Sequence, residues 1–546
     1  MVQLLAMISN ASVVMRGVTL CLQSLVIGGL VFAVCVGSRV HSRPEIVEQQ
    51  IRRLIVGSAI ALALTQMLLT AASILVLMRT ANLKFSETVG ASFVLTGGVC
   101  VAACLAVAAI VNNFRLLRWN TAVLVPALLI LITSVMSSHA ISRINHSGLL
   151  VLFTALHQGA TATWIGGLPY LWIALRHAPD LQTARDLGRK FSNLAMVSVA
   201  VLAVGGMGLG VAYIGSWQGF YGTTYGTMAA AKIVLFVCLL ALGSLNFRMV
   251  RGLQRADGTA VNLRRFVEAE IGIGVIVILA AASLTSQPPA VDLLAVRVNS
   301  SEIIARITPR WPRLKSPDQR ELNYVIAGRQ HSSVPTLTKN TLVQPDARLV
   351  DPPDYLADRE WSEYNHHWAG LLMFVLGFLA LAANTGKAPW ARNWPIIFLA
   401  LAAFLFFRAD PEVWPLGPTS FWTSLLDPEV LQHRLAVVLT IVFGIFEWEV
   451  RTGRTSSNSA ALVFPAVSVA GGAVLLTHSH ALTNAKEQLL TEFNHLPLAI
   501  LGVVAGVSRW LELRIPSGDR ARPFLSWVWP VCFVLIGIIL LNYREI

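Results

Sequence analysis

Fourteen apolar runs, each long enough as a helix to cross a hydrocarbon core about 30 Å thick, constrain this chain more than any other feature. They lie at approximately 18–37, 54–78, 89–112, 119–138, 148–175, 191–214, 228–247, 267–286, 367–385, 393–408, 432–448, 460–478, 495–511 and 524–542. A bilayer offers no hydrogen-bond partner to a backbone N–H or C=O, so runs of this length must satisfy themselves as helices. The expected fold is therefore all-α: a polytopic membrane bundle of about 14 transmembrane helices. With 55% hydrophobic and 13% charged residues in 546, a soluble enzyme is excluded.

Orientation follows from Lys and Arg, which collect in cytoplasmic connections. Connections after odd-numbered runs hold twenty-three of them, including Arg52, Arg53, Arg176, Arg189, Arg264, Arg265, Arg451, Arg509 and Arg514. Short connections after even-numbered runs, with both termini, hold seven. Both termini are thus expected to be periplasmic, in a multi-pass protein of the bacterial inner membrane. The net charge of +13 then reports topology and an affinity for anionic lipid, and nucleic acid is not expected as a partner. The first apolar run is too long for a cleaved signal peptide, and none is expected. Residues 287–362 contain nine prolines and no run that can span. They divide the chain into an eight-span block (1–290), a periplasmic linker or small exposed segment (291–362) and a six-span block (363–546).

Ten of the twelve histidines fall on the outer side of this topology: His139, His146, His157, His331, His366, His367, His433, His478, His480 and His495. Only His41 and His177 lie opposite. Neutral imidazole is the commonest side-chain metal ligand, so the asymmetry points to metal handling at one face. His331 reads as solvated surface. The cysteines all sit inside runs, which argues against a disulfide scaffold. Cys100 and Cys104 share a helix face and make a soft cuprous pair conceivable, although buried Cys is more often a small hydrophobe.

The fifth run carries the sharpest motif, His157 followed seven residues later by Trp164-Ile-Gly166-Gly167. At helical rise His157 lies roughly 15 Å below the outer surface, and an ionisable residue at that depth is a functional candidate. Met136 and His139, three apart at the outer end of the fourth run, are placed to turn toward it. Met with His suits copper better than magnesium or calcium.

These residues resemble the copper resistance protein D (CopD) family of bacterial inner-membrane proteins, over roughly residues 20–290. The resemblance rests on Ser138-His139-Ala140, His157 with Trp164-Ile-Gly-Gly, Lys190-Phe191-Ser192, and Thr224-Tyr225-Gly226 followed by Lys232. It continues through Leu245-Asn246-Phe247-Arg248, Arg265-Phe266-Val267-Glu268 and Thr285-Ser286-Gln287-Pro288-Pro289. It implies a role in copper homeostasis and resistance, usually as passage from periplasm to cytoplasm beside a periplasmic copper carrier, with His139 and His157 the positions carried over.

The six-span block must argue from its own residues. Glu363-Tyr-Asn-His366 is echoed by Glu492-Phe-Asn-His495, each with a Gly eleven residues after its His, Gly377 and Gly506. Glu-x-x-His sets carboxylate and imidazole on one helix face, as in metal sites between packed helices. His367, His433, His478 and His480 fall at the same membrane level, with Glu429 one turn before His433. The expected second site is therefore a copper site of three or four of these nitrogens, zinc being the main competitor, with Trp164, Glu363, Glu429 and Glu492 in supporting roles around the two sites.

The leading expectation is a transporter or metal-binding membrane protein, not an enzyme, that collects copper at the periplasmic face and imports it or passes it on. Two alternatives stand beside it. One is a membrane redox protein binding b-type haem through paired histidines. The other is an assembly factor presenting copper to a respiratory oxidase. No Walker loop or phosphorylatable Asp-Lys-Thr-Gly motif is present, so ATP-driven pumping is not expected.

Overall fold

The structure, a computed structural model, describes residues 2–37, 45–81, 83–112, 123–138, 140–141, 147–252, 258–294, 296–319, 322, 354–477 and 485–545. The expectations for His41, His139, His146, His331, His478 and His480 fall outside these residues. Among the described residues, thirteen helices are long and apolar enough to span a membrane. The fourteenth expected span corresponds to the shorter apolar helix Leu124–Met136. Among the described residues there is no strand beyond one isolated bridge, Val413 to Thr419. The polytopic helical bundle read from the apolar runs is thus what the chain forms.

Two compact units emerge: Met1–Val298 with Trp510–Pro523, and Asn299–Arg509 with Phe524–Ile546. The first contains α1 (Val2–Cys35), α2 (Glu45–Thr80), α3 (Ser92–Asn112), α4 (Leu124–Met136), α5 (Ser147–Trp164), α6 (Leu168–Arg176), α7 (Leu181–Tyr213), α8 (Thr224–Gly252) and α9 (Gly258–Leu284). Helix α1 is central, packing on α2, α4, α5, α6 and α9. Its buried Val26, Leu30 and Phe32 explain why, since an all-round apolar helix belongs inside a bundle. The fifth span is two helices, broken at Ile165-Gly166-Gly167. A Cβ on Gly166 would lie 1.9 Å from the Ser24 carbonyl oxygen of α1, so only glycine admits this crossing. Pro169 opens α6, where a missing N–H costs nothing. Tyr170 then donates to the Leu25 carbonyl at 2.9 Å, tying the break to α1.

The second unit contains α10 (Ser300–Ile307), α11 (Asp354–Asn384), α12 (Ile396–Arg408), α13 (Pro428–Arg451), α14 (Val463–Thr477), α15 (Ala485–Arg514, its last turn grouping with the first unit) and α16 (Ala521–Leu541). Helices α11 to α16 all supply one core, centred on Trp394, Phe398, Phe443, Phe464, Trp529 and Phe533. Ring centroids there approach to 4.4 Å for Phe398 with Phe443 and 4.5 Å for Phe443 with Phe464. Beside this core, the buried Glu447 takes Arg451 Nε at 2.6 Å and Arg509 Nη2 at 3.3 Å. Both guanidiniums lie over the Trp529 ring. Part of the proline-rich segment is stitched down. Arg297 holds Ser216 and the Ala290 carbonyl, and Arg306 reaches the Glu545 carbonyl at 3.2 Å.

Candidate functional site

In the first unit His157 points from α5 into α7 and α8. Its Nδ1 stands 3.3 Å from the Leu202 carbonyl, which can only accept, so Nδ1 carries the proton. Nε2 therefore keeps its lone pair and meets Lys232 Nζ at 3.4 Å. Space for the ring comes from α7: a Cβ on Gly205 would lie 3.2 Å from the His157 Cβ. The close helix approach expected around His157 is present.

About two helical turns further along α5, Trp164 is 2% exposed and donates through Nε1 to Glu270 Oε1 at 3.1 Å. Asn246 Nδ2 donates to Glu270 Oε2 at 2.6 Å. Glu270, 3% exposed, is thus a carboxyl inside a membrane-spanning helix with a donor on each oxygen. Its unpaired burial would cost several kcal/mol, which is why both donors are needed. Trp164 therefore supports Glu270 directly, while its packing on Phe236 of α8 keeps it beside the His157 helix pair. The sequence reading missed Glu270 and gave Lys232 no role, although each is an ionisable residue within an apolar run.

Met136, at the end of α4, is 48% exposed, and Ser137 beside it accepts from Arg16 at 3.4 Å. Cys100 and Cys104 are both buried on one face of α3. His177 donates to the Ile173 carbonyl at 3.0 Å.

In the second unit one end gathers the start of α11, the start of α13, α15 and the chain after α16. His366 stacks on Tyr543 at 3.6 Å, and the His495 ring lies 6.2 Å from His366 and 6.1 Å from Tyr543. His366 Nδ1 donates to the Ser362 carbonyl at 2.9 Å. Glu545 accepts from Tyr543 Oη at 2.7 Å and from Ser362 Oγ at 2.5 Å. Burial, and then the Glu545 carboxylate, push the Tyr543 phenol well above its ordinary range, so it stays a donor. His367 is spent differently. Nδ1 accepts from the Arg313 amide at 2.7 Å and Nε2 donates to the Tyr543 carbonyl at 2.9 Å, leaving no ring nitrogen for a metal.

His433 turns to Asp410 Oδ1 at 2.6 Å, with Arg434 at 3.9 Å from the other oxygen. Glu429 and Asp427 lie nearby at the α13 N-terminus, where Asp427 caps the helix by accepting from the Glu429 amide at 2.9 Å. Burial pushes the neighbouring Glu412 carboxyl up, with Asp410, Glu429 and Asp427 adding to it. Glu363 lies 3.7 Å from Arg313 Nε, and Glu492 is buried. The structure therefore brings His366 and His495 together and directs His367 and His433 to other partners. Among the described residues, no three His, Cys, Asp or Glu side chains converge closely enough to hold a metal ion.

Residues 185–284 match the family described as copper resistance protein D. Over 208 residues the chain is 30% identical to the copper transport protein CutJ of Bacillus subtilis (strain 168), an alignment covering 37% of each protein. The chain thus matches little more than a third of that relative's length. No solved structure matches. The chain carries a copper resistance protein D segment, and that segment supplies Leu202, Gly205, Lys232, Asn246 and Glu270, the surroundings of His157 and Trp164 on α5.

Proposed function

We propose that this is a copper-handling protein of the bacterial inner membrane that collects copper at its periplasmic face and passes it inward through the first unit. One observation carries the reading: the copper-family segment packs around an imidazole in a helix long and apolar enough to span a membrane, with its Nε2 lone pair facing Lys232. A soft cuprous ion would take that lone pair. Lys232 competes for it, because an ammonium donating to Nε2 and a metal bound there exclude each other. Capture of the cargo therefore requires Lys232 to swing aside or lose its proton, and its return favours release. Met136, which ends α4, and His139, three residues later in the sequence, are the further ligands this reading calls on.

The same reading gives the second unit a collecting role at its histidine-bearing end. The ring centroids of His366 and His495 lie 6.2 Å apart, and His478 and His480 precede His495 in the sequence. His433 joins only by leaving Asp410. A periplasmic copper carrier would deliver to this end.

Purified full-length protein tests the reading by metal analysis and absorption spectroscopy. It should bind cuprous copper, and His157→Ala should lose the share held in the first unit, without loss of helical content. Copper binding unchanged in that variant, zinc alone, or a haem Soret band would contradict it. Sidedness is checked separately: an impermeant thiol reagent should label Thr483→Cys in intact spheroplasts and leave Thr183→Cys unlabelled. The reverse pattern would remove periplasmic collection.

A further inference from the structure

At the other end of the fifth span from the outer surface, the first unit contains a pocket of about 290 Å³ lined by Trp172, Arg176, Arg264, Arg265, Glu268 and Arg514. Four guanidiniums face one carboxylate. Glu268 is fully engaged. Oε1 accepts from Arg265 Nη1 at 2.6 Å, Trp172 Nε1 at 3.0 Å and Arg514 Nη2 at 3.1 Å. Oε2 accepts from Trp510 Nε1 at 3.1 Å and Arg514 Nε at 3.3 Å. That carboxylate orients Arg265 and Arg514 and offsets a single charge.

Arg176 and Arg264 are left over. Arg176 lies over the Trp172 ring at 5.4 Å, and no described carboxylate lies within ion-pair reach of either residue. Three positive charges therefore remain uncompensated in one concave site, a costly arrangement for a fold that gains nothing from it. Arg presents planar forks that match phosphate oxygens two at a time. The position narrows the source. Arg176 closes α6, Arg264 and Arg265 stand in the first turns of α9, and Arg514 closes α15, so the pocket sits at span ends, the level of lipid headgroups. Basic pockets between transmembrane helices at that level take anionic headgroups.

We propose that this pocket binds the phosphate ester of an anionic membrane phospholipid, Arg176 and Arg264 clamping the phosphate while Glu268 fixes Arg265 and Arg514 as its floor. The site is independent of copper and belongs to the first unit.

Native mass spectrometry of the full-length protein, given phosphatidylglycerol or phosphatidylcholine in detergent, provides the test. Wild type should retain one phosphatidylglycerol in preference to phosphatidylcholine, and Arg176→Gln with Arg264→Gln should weaken that retention by on the order of tenfold. The two residues hold no carboxylate partner, so the variant should keep its fold. A wild-type experiment stands beside it: raising NaCl should displace phosphatidylglycerol and leave any phosphatidylcholine adduct unchanged. Equal retention of the two lipids, or retention unchanged in the double variant, would overturn the proposal. Displacement of the lipid by millimolar inorganic phosphate would assign the pocket to soluble phosphate instead.

Discussion

The two units place their buried polar groups differently, although the second also buries Glu447 with Arg451 and Arg509 beside its core. The first buries such groups along its helices: His157 with Lys232, and Glu270 with Asn246 and Trp164, sit between α5, α7, α8 and α9. The second fills its centre with aromatic rings, and its described histidines gather at one end, bonded to carbonyls or Asp410 or beside Tyr543. Paired polar groups inside a membrane bundle are expensive and persist where something must be held or moved. The second unit's aromatic core holds helices together, and the cations beside it, Arg451 and Arg509, are the chain's own, held by Glu447 and over the Trp529 ring. The contrast supports the proposal of passage through the first unit and collection at the rim of the second.

The contrast can be attacked first where the second unit is most committed. Trp529 is 0% exposed and lies 5.4 Å from Trp394 and 5.2 Å from Phe464. Trp529→Ala should cost about 3–5 kcal/mol, read as a lowered thermal midpoint of the full-length protein. Copper bound at His157 should survive below that midpoint. A loss under 1 kcal/mol would mean the aromatic cluster does not hold the second unit together.

A smaller effect is expected from the polar interior of the first unit. Trp164→Phe keeps the ring against Phe236 but removes a donor from buried Glu270, and should cost about 1–3 kcal/mol. Glu270→Gln in the same background should recover part of it, because the neutral amide needs less compensation. No recovery would show that packing, not the unsatisfied carboxyl, carries the loss.

The smallest concerns the rim. Burial raises the Glu412 carboxyl, so its folded-state pKa exceeds the unfolded one. Its favourable contribution is complete below the ordinary carboxylate range and is lost as pH rises through the raised value. Glu412→Gln should therefore gain thermal stability over wild type progressively as pH is raised to neutrality, and match it in acid. A pH-independent difference would contradict the assignment.

These particulars also show what a sequence can disclose. The spans were legible because apolar length alone dictates them, and His157 was legible because depth can be counted along a helix. Glu270 carried the same signal, an ionisable residue in an apolar run, but its partner Trp164 is 106 positions away, and only packing reveals that pair. At the second unit's rim the level of the histidines was readable and their directions were not. Adjacent His366 and His367 differ by about 100° around α11, so one reaches Tyr543's ring while the other is consumed by backbone groups. Asp410, which draws His433 away, sits in a connection whose path no periodicity encodes. The grouping of Trp510–Pro523 with the first unit was equally silent in sequence.

The central claim is that copper passes by way of His157 and is only gathered by the second unit's histidines. Uptake of radioactive cuprous copper into proteoliposomes, at limiting and at saturating copper, tests it directly. His157→Ala should abolish uptake at both concentrations, whereas His366→Ala with His495→Ala should slow it at limiting copper and leave it intact at saturation. Uptake that persists without His157, or that vanishes at saturation without His366 and His495, would contradict it.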